Sequence, residues 1–203
     1  MLEVANAFRL GAMIPYNKAM SSPLVKPHIT YEELSRIPSD GKRYELFEGA
    51  AYVTPSPNLH HQRILRRLSR AFEDAIRDGS EVFFAPMDVV LAEATAVQPD
   101  LVLVLENNAS ILKDVVRGVP DLVVEVLSPS TAQVDRGLKM ETYARYGVGE
   151  YWIVDIDSAS IEIYRLDRGA EAYRFIETCR GADQATTPLL PGLSLQTGKL
   201  FSK

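Results

Sequence analysis

Cysteine is almost absent from this 203-residue chain, where Cys179 stands alone. An internal disulfide is therefore impossible, and with three histidines and no Cys/His cluster a structural zinc site is excluded as well. A lone thiol fits a reducing compartment, so a cytoplasmic protein is expected. Long apolar runs are also missing. None approaches the roughly 18 residues needed to span a bilayer, and "MLEVANAFRLGAMIPYNKAM" lacks the basic-then-apolar order of a signal peptide, so no membrane partner is expected. Positive charge is in deficit. At a formal net charge of −5 the whole-molecule field repels nucleic acid, and binding to it has to rely on a local basic patch or on metal ions. Trp152 is the only tryptophan and sits in an apparent core strand, which argues against a two-carboxylate glycosidase with aromatic sugar platforms.

What remains is globular in composition, with 46% hydrophobic and 24% charged residues, enough for one substantial core but not for two full domains. Residues 1–27 show weak periodicity broken by "IPYN" and "SSPLVKP", and are expected to form an extension that is loosely ordered or packs on a partner. Residues 28–203 are expected to form a single domain. "TYEE" opens it with a capping box, Thr30 and Glu33 satisfying each other's amides, in a short helix that ends by Pro38. "KRYELFEG" and "AAYVTP" flank a turn at Glu48-Gly49 and predict a hairpin. A longer amphipathic helix follows, with Ile64, Leu65, Leu68, Phe72, Ala75 and Ile76 on one face and a stop at Gly79. Arg63, Arg66, Arg67 and Arg70 lie off that face.

Strand-like runs continue through "EVFFAP", "DVVLA", "DLVLVL", "LVVEVL", "EYWIVD" and "SIEIYRL", and the C-terminal part adds edge strands and a short closing segment. Between "LVVEVL" and "EYWIVD" a helix starts after Ser128-Pro129 and stops at Gly147, which implies a crossover between parallel strands.

The tetrapeptide "PDLV" occurs twice, with Asp100 and with Asp121. Glu125, inside the apolar run "LVVEVL", is costly there unless it is paired, hydrogen-bonded or metal-bound. An exposed sheet face or an ion pair would satisfy it as well as a site would. Side chains alternate along a strand, so Asp121 shares a face with Glu125 but lies roughly 13 Å along it, too far to share a Mg²⁺ whose ligands stand at about 2.1 Å. Asp100 opens the preceding strand. An antiparallel pairing would bring it beside Glu125, whereas a parallel one would bring it beside Asp121, and the connection allows either. On the following helix Asp135, Lys139 and Tyr143 recur at i, i+4 and i+8 on one face, a spacing shared by a pocket lining and by a solvated ion pair.

"RYELFEGAAYVTPSPNLHHQRI", "VQPDLVLV", "PDLVVEVLSPST", Asp135 with Lys139, and "YARYGVGEYWIVD" resemble, in consistent order from about Thr30 onward, the Uma-type putative restriction endonuclease family of the PD-(D/E)XK nuclease superfamily. The resemblance implies an α/β, restriction-endonuclease-like core: a mixed central sheet with an antiparallel hairpin and flanking helices. It implies Mg²⁺, or Mn²⁺ in substitution, on Asp100, Glu125 and the Val126 carbonyl. Glu48 matches an additional acidic position. The lysine expected two residues after Glu125 is replaced by Leu127, and Lys139 is its natural substitute. Gln98, His61, Asp135 and Tyr143 would support these groups, and Arg63, Arg66, Arg67 and Arg70 would contact DNA phosphates. The implied function is metal-dependent DNA endonuclease activity of restriction or mobile-element type, in a homodimer that cuts two strands. The alternative, suggested by Leu127 and the acidic net charge, is an inactive nuclease-fold protein that binds DNA or protein.

Overall fold

The computed structural model describes residues 14–15, 28–38 and 40–202. Most of the expected extension 1–27 lies outside the described residues; of it, β1 (Ile14–Pro15) pairs in parallel with Tyr52 and Val53. α1 (Tyr31–Ser35) opens on the expected capping box, the Thr30 hydroxyl accepting from the Glu33 amide at 3.2 Å and Glu33 Oε2 accepting from the Thr30 amide at 2.8 Å. β2 (Arg43–Phe47) and β3 (Ala50–Thr54) form the hairpin around Glu48-Gly49, whose φ values of 48° and 81° are those of a two-residue turn matched to strand twist.

α2 (Leu59–Ala75) begins where Asn58 accepts from the His61 amide at 2.9 Å. It stops before the Gly79 that the pattern suggests. The backbone becomes extended at Ile76, whose side chain packs on the core, and Asp78 accepts from the Ser80 amide to turn the chain into β4 (Glu81–Phe84). There follow β5 (Val89–Ala92), β6 (Thr95–Val97), β7 (Leu101–Val104), a 3₁₀ turn (Glu106–Ile111), β8 (Val116–Arg117) and β9 (Leu122–Val126). α3 runs as α-helix over Ala132–Val134, widens to a π-helical turn over Asp135–Lys139, and resumes as α-helix over Met140–Tyr146. Gly147, at φ 91°, ends it. β10 (Glu150–Asp155), β11 (Ser160–Arg165) and β12 (Arg174–Arg180) precede a small pair, β13 (Gln184–Ala185) with β14 (Leu195–Gln196), and α4 (Thr197–Phe201) closes the described chain.

Two six-stranded sheets result, ordered β1-β3-β2-β6-β5-β8 and β12-β11-β10-β9-β7-β4. Both are mixed, so the fold is α/β as expected. β9 and β10 are parallel with α3 between them, the crossover that the sequence implies. Every residue of β9 is buried, which requires a cover on each face. One face packs Leu122, Val124 and Val126 against Ile64, Leu68 and Phe72 of α2. The other packs Val123 and Leu127 with Tyr143 of α3, Tyr151, and Phe47, Val89 and Val97 of the first sheet.

The decisive pairing is that of β7 with β9. It is antiparallel, with Leu101 opposite Val124 and Leu103 opposite Leu122, so Asp100 comes next to Glu125 at the strand ends. Asp121 falls at the opposite end of β9. There its Oδ2 accepts from the Leu105 amide at 2.8 Å and from Asn108 Nδ2 at 3.0 Å, fastening the turn that follows β7.

Candidate active site

Glu125 is 2% exposed and points to the α3 face of its sheet. α3 supplies the partners that such a carboxylate needs. The Tyr143 hydroxyl donates to Glu125 Oε1 at 2.7 Å, and Lys139 Nζ donates to the same oxygen at 3.0 Å. Lys139 is itself buried, and its ammonium also lies 3.1 Å from Glu45 Oε1 and 3.5 Å from Asp135 Oδ1. The π-helical turn carries both Asp135 and Lys139, and the Tyr151 hydroxyl donates to the Asp135 carbonyl at 2.9 Å, holding that turn against the sheet. Three carboxylates around one ammonium leave surplus negative charge in a dry place. Burial accordingly pushes the Glu125 carboxyl well above its ordinary range, against the opposing pull of Lys139. Burial also raises Asp135 to about 6, again opposed by Lys139. Tyr143, pushed upward by its own burial, stays protonated and serves as a donor.

Asp100 closes the constellation from β7. Its Oδ2 accepts from the Val126 amide at 2.8 Å and faces His61 Nε2 at 3.0 Å. Asp100 and Glu125 each use one oxygen on these protein contacts, which leaves Asp100 Oδ1 and Glu125 Oε2 for the cleft. Both line one cleft together with His61, Gln98, Val126, Asp135 and Lys139. Loop groups from Thr54 to Pro57, Ser128 and Thr131 rim it.

Tyr143 lies beneath the floor of this cleft, held by Glu125. Gln98 sits in the link between β6 and β7, its amide nitrogen donating to Glu45 Oε1 at 2.9 Å and its side chain to Asp88 Oδ1 at 2.7 Å. Its Oε1 is buried without a partner, as is His61 Nδ1. Leu127 packs in the core rather than in the cleft, so the cationic group near Glu125 does come from α3.

Glu48 is not in the cleft. It is a turn residue at the hairpin tip, its side chain is 60% exposed, and it pairs with Arg145. Glu45, within β2 and fully buried, occupies the place expected for Glu48. The available signal was the turn itself: a residue beside Gly49 at a two-residue loop points outward, whereas the acid inside "YELF" faces the core. Of the four arginines, Arg63, Arg66 and Arg70 are exposed on α2. Arg67 is committed elsewhere, since it donates to the carbonyls of Leu200 (2.7 Å) and Ser202 and ties α2 to α4.

Among the described residues no group of three or more His, Cys, Asp or Glu side chains is arranged to hold a metal ion. The donors that the family resemblance implies, two carboxylate oxygens from Asp100 and Glu125 and the Val126 carbonyl, belong to residues that line one cleft at neighbouring strand ends. Such a set suits Mg²⁺, which commonly takes one or two carboxylates and completes its shell with water and phosphate.

The family model Uma2, described as "Putative restriction endonuclease", matches residues 31–198. The chain belongs to the Uma2 family. This Uma2 protein is 28% identical over 158 residues to an uncharacterized protein of Synechocystis sp., slr1290, a match covering 75% of this chain and 80% of that one. In fold it is similar to the crystal structure of a putative nuclease belonging to DUF820 from Anabaena variabilis, with a TM-score of 0.70 at 19% identity over 85% of this chain and 97% of the other. At that identity the likeness establishes the fold, and the site geometry of this Uma2 chain stands on its own residues. No helix among its described residues is long and apolar enough to cross a membrane.

Proposed function

We propose that this protein is a metal-dependent DNA endonuclease hydrolysing phosphodiester bonds, with residues 28–203 as one nuclease domain. The observation that carries the reading is the antiparallel β7–β9 register, which sets Asp100 beside Glu125 with Lys139 3.0 Å from the latter. Asp100, Glu125 and the Val126 carbonyl would hold Mg²⁺ or Mn²⁺, which when bound polarises a phosphoryl oxygen and makes hydroxide accessible at neutral pH.

The chain's own groups do the rest. Tyr143 and Lys139 fix one oxygen of Glu125, and His61 and the Val126 amide fix one oxygen of Asp100, so each remaining oxygen is oriented before substrate arrives. Lys139 places positive charge at the floor of the cleft, where charge on a phosphate group grows in the transition state. Glu45 and Asp135 keep that ammonium in place. DNA as substrate and a homodimer that cuts both strands belong to the same reading, which the match to a restriction-endonuclease family supports. The buried free thiol of Cys179 accords with action in the cytoplasm.

Purified protein with Mg²⁺ or Mn²⁺ is expected to nick or linearise supercoiled plasmid DNA, and Asp100→Asn and Glu125→Gln each to abolish the activity. Cleavage that survives both substitutions, or a chelator, would overturn the assignment.

A further inference from the structure

The outer face of α2 carries a second feature that its packing does not explain. Leu59 and Phe84 are large apolar side chains left 67% and 52% exposed, and they line one surface groove together with Arg63 and Arg66. These two arginines have no ion-pair partner among the described residues, whereas Arg70 is 3.9 Å from Asp74 and Arg67 is bound to α4. A single exposed Phe needs no account. A Phe and a Leu beside two unpaired guanidinium groups, on a protein of net charge −5, form a local cationic and apolar surface that does.

Its position relative to the cleft is fixed by backbone. Phe84 ends β4 opposite Leu101, and the next amide, that of Ala85, donates to the Asp100 carbonyl at 3.0 Å. From the other side α2 contributes His61, which touches Asp100, between Leu59 and Arg63 of the groove. Groove and cleft are therefore two faces of the same short stretch of chain around Asp100.

We propose that this groove seats an unpaired DNA nucleotide flanking the phosphate to be cut, its base stacked on Phe84 against Leu59 and its phosphates on Arg63 and Arg66. The chemistry points to a single strand because bases in a duplex are already stacked on one another, and only a splayed or unpaired base offers a face to an aromatic ring. The occupant is anionic, matching the two free guanidinium groups. This rests on the nuclease reading for the place of the scissile phosphate but makes its own prediction about binding.

The test is fluorescence anisotropy with a short fluorescein-labelled DNA oligonucleotide, single-stranded or as the blunt duplex, in a chelator so that no cleavage occurs. The single strand is expected to bind more tightly than the duplex. Phe84→Ala should weaken single-strand binding by about 5- to 150-fold, the range for one lost base stack, while Phe84→Tyr keeps it and Phe175→Ala, an exposed Phe on β12, leaves it unchanged. Arg63→Ala with Arg66→Ala should lower affinity and flatten the log–log salt slope by about 1.4. Single-strand binding by Phe84→Ala equal to that of the wild type, or a preference for duplex, overturns the proposal. A change in sedimentation mass for Phe84→Ala without a change in oligonucleotide affinity also overturns it, because the face then belongs to a second copy of the chain. Because binding is read without metal, absent cleavage would sink only the endonuclease reading, and intact cleavage with unaffected Phe84→Ala binding would sink only this one.

Discussion

Replacing Lys139 by Met isolates what its ammonium does for the fold, whatever the protein's activity. The substitution keeps the length of the stem and removes the charge. In the native protein that charge lies 3.0, 3.1 and 3.5 Å from Glu125, Glu45 and Asp135, with each of these side chains nearly dry. Deleting one partner of a buried ion pair costs about 3–5 kcal/mol because the other partner is left uncompensated. For a chain of this size that corresponds to a fall in Tm of roughly 10 °C. The loss should depend on pH. Glu125 and Asp135 already have raised carboxyl pKa values through burial, and Lys139 is what restrains them. Without it both rise further. A carboxyl whose folded pKa exceeds its unfolded value binds a proton on folding, so stability increases as pH falls through the folded pKa and levels off below the unfolded one. Lys139→Met should accordingly be most destabilised near pH 8 and recover part of the difference by pH 5. Urea denaturation followed by circular dichroism at several pH values measures both effects. A deficit below about 1 kcal/mol, or one that does not change between pH 8 and pH 5, would refute the picture of a cation compensating buried acids.

The two "PDLV" aspartates should separate cleanly. Asp121→Ala loses the acceptor for Leu105 and Asn108 and should cost about 1.5–3 kcal/mol in denaturant titration while leaving the rate of plasmid cleavage unchanged; Asp100→Asn should do the reverse to cleavage. The two acids of "YELFEG" should differ as well: Glu45→Gln is expected to impair cleavage, and Glu48→Gln, at the hairpin tip, to leave it intact in the same assay. Leu68→Ala, in the fully buried face of α2, should cost about 2–5 kcal/mol, read by the same denaturation. Arg136 holds the Glu162 carboxyl below the usual range through a paired hydrogen bond. Stability from that pair is present at neutral pH and is lost as pH falls through the folded pKa of Glu162, so the Arg136→Ala deficit, about 1 kcal/mol or less for a half-exposed pair, should shrink toward low pH and in high salt.

Much of this architecture is local and was therefore open to reading from residues. The Thr30/Glu33 capping box, the Glu48-Gly49 turn, the apolar face of α2 and the stop at Gly147 depend on neighbours within a turn or two. The same is true of the convergence of Asp135, Lys139 and Tyr143 on one helix face, and of the exclusion of Asp121 by the rise of a strand. Glu125 stands out in the sequence because an ionisable group in an apolar strand requires a partner somewhere.

What the residues alone could not supply was which partner. Alternation along a strand states the face a side chain occupies but not the neighbour across the ladder, and the link between β7 and β9 is long enough for either sense of pairing. Only the tertiary structure chose the antiparallel register that sets Asp100 beside Glu125. The same holds for Glu45, which reaches Lys139 because the first sheet packs over the second, a contact between elements far apart in the chain. It holds too for the exposure of Phe84, an ordinary strand residue until β4 becomes the edge next to Asp100. Local chemistry thus determined which side chains needed company, and long-range strand order decided who provided it.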